Sequence, residues 1–320
     1  KVVLFGVIRE LRDSGTAIVY ISHRMDEIFE LSDRISVLRD GTYQGTFETS
    51  QTDEDEVTMR MIGRDLDSDI EHQPPELGAK SLQVNGLGVK ELFSDISFDV
   101  HAGEVVGFYG LVGAGRTEVM ETIFGLRKPD SGDVKINGEK LAISSPTDAI
   151  DQGLALVPES RKEQGLVLEM SCKDNTTLAH LIDFTRFGWV DTDAEKKVFS
   201  KYMEKLRIKC PGWEYSTLNL SGGNQQKVVI GKWLSTSPKI LILDEPTRGI
   251  DVGSKSEIHH LIRELAKTGL AVIVVSSEMP EVLTVSDRII AMRDGRITKC
   301  FDRSEVTEDS LIRAITGQDA

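Results

Sequence analysis

The chain has 320 residues, of which 39% are hydrophobic and 28% charged, and its formal net charge is −14. This acidic balance argues against a nucleic-acid backbone as partner, because binding along nucleic-acid phosphates requires dense lysine and arginine. No apolar run reaches the roughly 18 residues that a membrane-spanning helix needs, while the length suffices for one full core and a fragment of another.

The first 63 residues have the pattern of short helices and strands without a complete sheet. We predict the end of a helix over residues 5–11, a buried strand over 17–22, a short helix over 25–31 and strands over 35–38 and 43–47. Asp40-Gly41 between the last two strands predicts a hairpin. Because these strands lack a parent sheet, we expect this part to be mobile, to aggregate or to dock on another surface.

Residues 64–79 have the composition of a linker, since acidic residues and Pro74-Pro75 interrupt every apolar periodicity. Strands are predicted next over residues 82–84, 96–100 and 105–109.

A glycine-rich loop follows the last of these strands and precedes a predicted helix over residues 118–124, which is the context of a phosphate-binding loop. Its glycines let backbone N–H groups turn toward phosphate oxygens, and the Thr117 hydroxyl is placed to ligate magnesium. The candidate nucleotide-binding residues are Gly110, Gly113, Ala114, Gly115, Arg116 and Thr117.

Arg116 stands where the Walker A spacing has a lysine. Its planar guanidinium keeps the positive charge but is bulkier than an ammonium group. Two interpretations stay open: nucleotide binding survives while hydrolysis falls, or arginine is a tolerated variant with full activity.

The middle of the chain is predicted to be mostly helical. Asn137-Gly138 predicts a hairpin before this region, and residues 198–206 form its clearest amphipathic stretch, within a helical part at about 160–220. Cys172, Cys210 and Cys300 lack the spacing of a metal site and are interpreted as reduced packing residues.

Two further segments have polar residues at the predicted start of a helix and at the predicted end of a strand. In the first, Ser221 can cap the amides of a following helix, and the glycines after it leave a bare backbone that can bind phosphate. Its candidate residues are Leu220, Ser221, Gly222, Gly223 and Gln225. In the second, an apolar strand ends in Asp244 and Glu245, so one carboxylate can reach magnesium while the other orients water.

The chain contains an internal repeat. Asp33 recurs as Asp287 and Gly41 as Gly295, 254 positions apart in both cases, and the match extends without a gap from residue 9 to residue 63. In this register His23 corresponds to Ser277 and Lys1 to Lys255.

These motifs in this order resemble the Walker A, signature and Walker B motifs of ABC-type ATPases. The resemblance implies an α/β P-loop NTPase fold, an ABC nucleotide-binding domain with a helical subdomain, preceded by a fragment of a second ABC domain. It implies the cofactors ATP and Mg²⁺, with Thr117 and Asp244 as metal ligands and Glu245 as a catalytic residue. Asp251 corresponds to the D-loop, and Glu159 stands where most ABC domains have a glutamine that contacts the nucleotide site.

The same resemblance assigns His23 the role of the strand-end switch histidine and marks Ser277 as its loss. Since Lys1 matches Lys255, we expect on the order of 170 or more preceding residues with the rest of a first ABC domain. The expected organisation is a remnant of that domain over 1–63, the linker over 64–79 and a complete ABC domain over 80–320. Each ABC site forms between two domains, so this chain would hold parts of two sites.

The arginine in the loop, the segment 157–165, the Gln225-Gln226-Lys227 ending of the signature and the segment 276–281 are similar to the ATPase subunits of bacterial monosaccharide importers. This implies a peripheral protein on the cytoplasmic face of the inner membrane, a membrane sugar permease as partner and a periplasmic sugar-binding protein as an indirect one. The adenine-stacking aromatic of ABC domains is not evident near residues 86–93. The alternative is an ABC nucleotide-gated clamp without a permease, which the lack of long basic insertions disfavours.

Overall fold

The structure is a computed structural model that describes residues 2–22, 24–39, 42–62, 77–140 and 144–317. These residues form two compact units. The first comprises Lys1–Glu71 with Asp251–Ser256, and the second comprises His72–Ile250 with Glu257–Ala320. His23, Asp40-Gly41 and most of the predicted linker lie outside the described residues.

The first unit has a small core between a hairpin and helices. Its elements are α1 (Val2–Asp13), α2 (Met25–Leu31), β1 (Arg34–Arg39), β2 (Thr42–Glu48) and α3 (Glu54–Ile62). The predicted hairpin is confirmed, because β1 and β2 pair antiparallel with Ile35 opposite Phe47. Ile35, Val37 and Val57 form the buried core of this unit.

The predicted strand over residues 17–22 is wrong. The segment has no regular structure, and Val19 and Ile21 are 90% and 92% exposed. An apolar run adopts a strand only where a neighbouring strand satisfies its backbone groups, and the described residues give this run no strand partner.

The second unit contains most of the regular structure. Its strands are β3 (Lys80–Val89), β4 (Phe93–His101), β5 (Val105–Gly110), β6 (Ser131–Ile136), β7 (Glu139–Lys140), β8 (Leu154–Val157), β9 (Thr185–Arg186), β10 (Trp189–Val190), β11 (Ile240–Asp244), β12 (Ala271–Ser276), β13 (Arg288–Arg293) and β14 (Arg296–Asp302). Its helices are α4 (Arg116–Ile123), α5 (Pro146–Asp151), α6 (Cys172–Thr177), α7 (Thr192–Lys205), α8 (Gly222–Leu234), α9 (Val252–Lys267, from Glu257 on), α10 (Met279–Val285) and α11 (Glu308–Thr316).

A six-stranded sheet in the order β14-β13-β5-β12-β11-β8 forms the centre of this unit. The strands from β13 to β8 are parallel and β14 is an antiparallel edge. Every residue of β5, β8, β11 and β12 is buried, as expected for apolar parallel strands covered on both faces. The carboxyl ends of β5 and β11 therefore meet at one edge, where open α/β sheets bind ligands.

A second, antiparallel sheet has the order β4-β3-β6-β7. Its last hairpin confirms the turn predicted at Asn137-Gly138, since both residues have positive φ (50° and 84°), as a type I′ turn requires. The predicted strands over 82–84 and 96–100 lie in β3 and β4.

The region between β8 and α8 is mainly helical, as predicted. The amphipathic stretch corresponds to the end of α7, which buries Phe199 and Tyr202. A short hairpin of β9 and β10 in this region was not predicted from the sequence. None of the helices in the described ranges combines the length and apolar character needed to cross a membrane, and the three cysteines carry free thiols.

Candidate functional site

The glycine-rich loop has the predicted strand-loop-helix geometry. β5 ends at Gly110, α4 begins at Arg116, and Gly113 and Gly115 have φ angles of 84° and 89°, which residues with a side chain rarely adopt. At Gly110 a side chain would also collide with the Met292 carbonyl oxygen. The loop therefore presents backbone rather than side chains between the sheet and α4.

A turn from the edge hairpin holds this loop. Gly295 donates its N–H to the Ala114 carbonyl at 3.1 Å and accepts from Ser94 N–H at 2.9 Å. The Cα of Gly295 would lie 3.3 Å from a Cβ added at Gly115, so two glycines meet here. Backbone hydrogen bonds thus join the loop to the β13–β14 turn, and this turn to the start of β4.

Arg116 packs inward against the central sheet. Its side chain is 8% exposed, Nη1 donates to the Ser276 carbonyl, and Nη2 lies 3.6 Å from Glu245 Oε1. Burial lowers the pKa of the guanidinium, which the nearby carboxylates partly counteract, and an arginine stays charged in such a site. Its charge is therefore partnered by protein groups.

Asp244 and Thr117 provide oxygen atoms suited to a hard cation. Burial raises the pKa of Asp244 to about 6, while a hydrogen bond with the Thr117 side chain acts in the opposite direction. Oδ1 of Asp244 is buried and has no hydrogen-bond partner among the described residues. One carboxylate and one hydroxyl fit Mg²⁺, which takes few protein ligands alongside phosphates and water. The described residues include no group of three or more His, Cys, Asp or Glu that could bind a metal.

Glu245 occupies a tightly defined position after β11. Its φ is 48°, its N–H donates to the Val275 carbonyl at 2.8 Å, and its Oε1 accepts from Ser277 N–H at 2.8 Å. Burial raises the pKa of this carboxyl, and hydrogen bonds from Ser277 and the charge of Arg116 oppose that rise. The structure thus brings the loop, Asp244, Glu245 and Ser277 together, while His23 lies outside the described residues.

The segment from Leu220 to Gln225 opens α8 as predicted, with one difference. Ser221 is the N-cap residue, but its hydroxyl accepts from Asn224 Nδ2 at 2.9 Å and makes no capping bond to a backbone amide. The predicted cap is therefore wrong in its hydrogen bond, because the neighbouring asparagine amide competes for the same oxygen. Gly222 contacts the segment after β11: a Cβ there would lie 3.4 Å from the Gly249 carbonyl oxygen.

Two further predicted residues have local partners. Glu159 forms an ion pair with Arg248, and Asp251 accepts hydrogen bonds from Ser254 N–H at 2.9 Å and its hydroxyl at 2.8 Å. Asp251 thus starts α9, while its assignment to a D-loop and that of Glu159 to nucleotide binding stay predictions.

Sequence reasoning missed Arg161 and Lys232. Arg161 donates to the carbonyls of Arg248 (2.6 Å) and Gly249 (2.9 Å). Lys232 is buried in α8 and donates to the Gly165 carbonyl at 2.5 Å. Arg161 lies inside the segment 157–165, which is similar to importer ATPases. The sequence pattern does not indicate which distant carbonyl groups an arginine will contact.

Comparisons with known proteins agree with this geometry. The sequence model of the ABC transporter family matches residues 93–248. An ATP-binding cassette of an ABC transporter in its ADP conformation superposes with a TM-score of 0.64 at 20% identity, over 75% of this chain and 96% of its own. The CbiO1 component of a Clostridium perfringens ABC transporter gives 0.62 at 23% identity, over 73% of this chain and 92% of its own. These likenesses show the fold.

Curated relatives are closer in sequence. A ribose import ATP-binding protein of Bacillus licheniformis is 46% identical over 98% of this chain, and one of Chromobacterium violaceum is likewise 46% identical over 98%. The chain spans 64% and 62% of the length of these two relatives. Fold, phosphate loop, paired carboxylates and sequence likeness lead to one conclusion: this chain contains an ABC transporter ATP-binding domain, which the family match places at residues 93–248.

Proposed function

We propose that this chain binds and hydrolyses MgATP as part of an ATPase that drives the import of a monosaccharide through a membrane permease. The 46% identity to ribose import ATP-binding proteins supports this proposal. The permease, a periplasmic sugar-binding protein acting through it, and a position on the cytoplasmic face of the membrane belong to the same proposal. Residues 80–320 would form the ABC domain that carries this activity, and residues 64–79 its linker to the remnant over 1–63.

The residues at the sheet edge have distinct parts in the proposed reaction. The backbone N–H groups of the loop and the start of α4 would bind the phosphates, and Thr117 and Asp244 would hold Mg²⁺. When bound, Mg²⁺ neutralises charge on the transferring phosphate. Glu245, fixed by Ser277 N–H, would orient the attacking water from the end of β11.

We further propose that this site is degenerate and hydrolyses ATP weakly. The observation that carries this proposal is the engagement of Arg116 with the Ser276 carbonyl and Glu245. A cation held there is diverted from the phosphates, and it also lowers the basicity of the carboxylate that must act on water. Ser277, with no imidazole to contact the γ-phosphate, would weaken the site further.

Each ABC site forms between two domains, so the residues proposed here would belong to two different sites. The loop 110–117, Asp244, Glu245 and Ser277 would belong to the degenerate one, opposite the signature of a second ABC domain. The signature Leu220–Gln225 would serve the competent site with the loop of that second domain. The internal repeat, in which residues 9–63 match residues 263–317, supports the presence of two related domains in the full protein.

The test is MgATP binding and turnover by the native chain, by Arg116→Lys with Ser277→His, and by Glu245→Gln. We expect the native chain to bind but barely turn over, and the double variant to gain hydrolysis that adding Glu245→Gln abolishes. Arg186→Lys, at an exposed position of the β9–β10 hairpin, is the matched control. Brisk hydrolysis by the native chain would show that Arg116 and Ser277 are functional substitutions and that the site is not degenerate.

A further inference from the structure

Arg161 joins three segments of the second unit that are far apart in sequence. It begins the single π-helical turn Arg161–Gly165 after β8, a rare geometry that is frequent at functional sites. Nη1 and Nη2 donate to the carbonyls of Arg248 and Gly249, and Nε donates to Gln225 Oε1 at 3.4 Å. One guanidinium thus connects the segment after β8, the segment after β11 and the first turn of α8.

The contacts on either side of Arg161 continue this connection. Toward the carboxylates, Arg248 N–H donates to the Glu245 carbonyl at 3.1 Å, so the chain makes a tight turn between Glu245 and the carbonyls that Arg161 binds. Toward the signature, Gln225 is buried and donates to the Thr217 carbonyl at 3.0 Å. A Cβ on Gly222 would lie 3.0 Å from Arg161 Nη2, so the guanidinium also lies against the signature backbone.

The fork geometry explains why arginine occupies this position. Arg161 donates to the carbonyl oxygens of two successive residues and to a side-chain amide oxygen on α8. These acceptors require donors in a fixed plane, which a guanidinium supplies and an ammonium does not. Half-buried Arg161 has no carboxylate partner among the described residues, and burial lowers the pKa of its guanidinium. Because its acceptors are neutral, we interpret Arg161 as a residue that fixes the positions of these segments and not as one half of an ion pair.

We propose that Arg161 is a positioning residue that couples the occupancy of the nucleotide site at Asp244 and Glu245 to the conformation of the signature segment Leu220–Gln225. A displacement of the Glu245–Arg248 turn moves both carbonyls that Arg161 binds, and Arg161 transmits the movement to Gln225 and Gly222. This inference rests on the proposed nucleotide binding at the loop 110–117. It adds a route by which nucleotide binding at one site would change the conformation of the signature segment, which would serve the other site.

The test is hydrogen–deuterium exchange of the native chain, Arg161→Gln and Arg161→Lys, each with and without MgATP, beside a separate measurement of MgATP affinity. In the native chain, MgATP should change exchange in peptides covering residues 217–226 and 245–250. In Arg161→Gln the change at 245–250 should remain, while the change at 217–226 should fall by at least about twofold. Arg161→Lys should retain an intermediate response, and Arg186→Gln should behave as native.

The outcomes separate this inference from the proposed function. If the native chain does not bind MgATP, the proposed function fails and takes the inference with it. If it binds MgATP but the signature peptides of Arg161→Gln respond as in the native chain, the inference alone is overturned. If both Arg161 variants unfold, or if they raise exchange over the whole region 172–234 even without nucleotide, Arg161 is a structural residue and the coupling role is wrong.

Discussion

The Arg116 guanidinium and the Glu245 carboxylate lie 3.6 Å apart, with side chains only 8% and 10% exposed. Removing one partner of such a pair leaves the other charge buried and uncompensated. We expect Arg116→Met to lower the free energy of unfolding by about 2 kcal/mol. Glu245→Gln should change it little, because burial raises the pKa of this carboxyl and so opposes its ionisation. The double variant should lose less than the sum, with a coupling energy of about 1 kcal/mol in urea denaturation. Additive losses would show that the two groups do not interact.

Asp244 should destabilise the fold at neutral pH. Burial raises its pKa to about 6, above the value of about 3.9 in an unfolded chain. Its ionisation therefore costs stability above pH 6, and this stability returns as the pH falls toward about 4. We expect Asp244→Asn to raise the unfolding free energy by about 1–3 kcal/mol at pH 7 in the absence of Mg²⁺, and by much less near pH 4.

The matched control for this prediction is Asp151→Asn, since Asp151 is exposed at the end of α5. A loss of stability in Asp244→Asn at pH 7 would contradict the expectation, because it would mean that the ionised carboxylate is well compensated in its site.

Lys232 presents the opposite titration. Burial lowers its pKa to about 8, below the value of about 10.4 in an unfolded chain. Its charge therefore costs stability below pH 8, and that stability is regained as the pH rises toward about 10. Lys232→Met should raise the midpoint of thermal unfolding at pH 7, and the advantage should shrink at higher pH. Lys197→Met, at an exposed position of α7, should leave the midpoint nearly unchanged.

The lost hydrogen bond to the Gly165 carbonyl works against the gain in Lys232→Met. A net loss of stability at pH 7 would therefore indicate that this bond outweighs the cost of burying the ammonium group.

Phe187 violates two local rules in the β9–β10 turn. It is fully exposed and has a φ of 51°, beside Gly188 with a φ of 82°. Asn-Gly is the favoured pair for such a turn, so Phe187→Asn should raise the unfolding free energy by up to about 1 kcal/mol. Phe187→Ala, which keeps the unfavourable backbone conformation, is the comparison. Loss of stability in both variants would show that the aromatic ring packs against the protein.

The sequence predicted the sheet edge well because its signals are local and physically strict. An apolar strand with a glycine-rich loop has few alternatives, and the same holds for an apolar strand that ends in two carboxylates. Asn137-Gly138 and the turn between β1 and β2 were predicted for a similar reason, since these dipeptides suit positive φ angles.

What failed depended on tertiary partners. Residues 17–22 have strand-forming side chains, yet Ile21 is exposed because a strand is decided by its neighbours. Arg161 and Lys232 resemble surface cations in the sequence, and only the fold shows that their donors reach carbonyl groups. Phe187-Gly188 was missed because phenylalanine is an unusual choice for the first position of such a turn.

The hydrogen bonds of Gly295 to Ala114 and Ser94 give the phosphate loop its shape before any nucleotide arrives. The loop therefore loses its conformational entropy when the protein folds. Nucleotide binding does not carry this entropic cost, and the affinity is not weakened by it. A side chain at position 295 would press against the Phe93 Cα, 2.8 Å from its Cβ, and would loosen this arrangement from a distant part of the sequence. The edge hairpin β13–β14 therefore affects how tightly the glycine-rich loop at residues 110–117 can bind an anion.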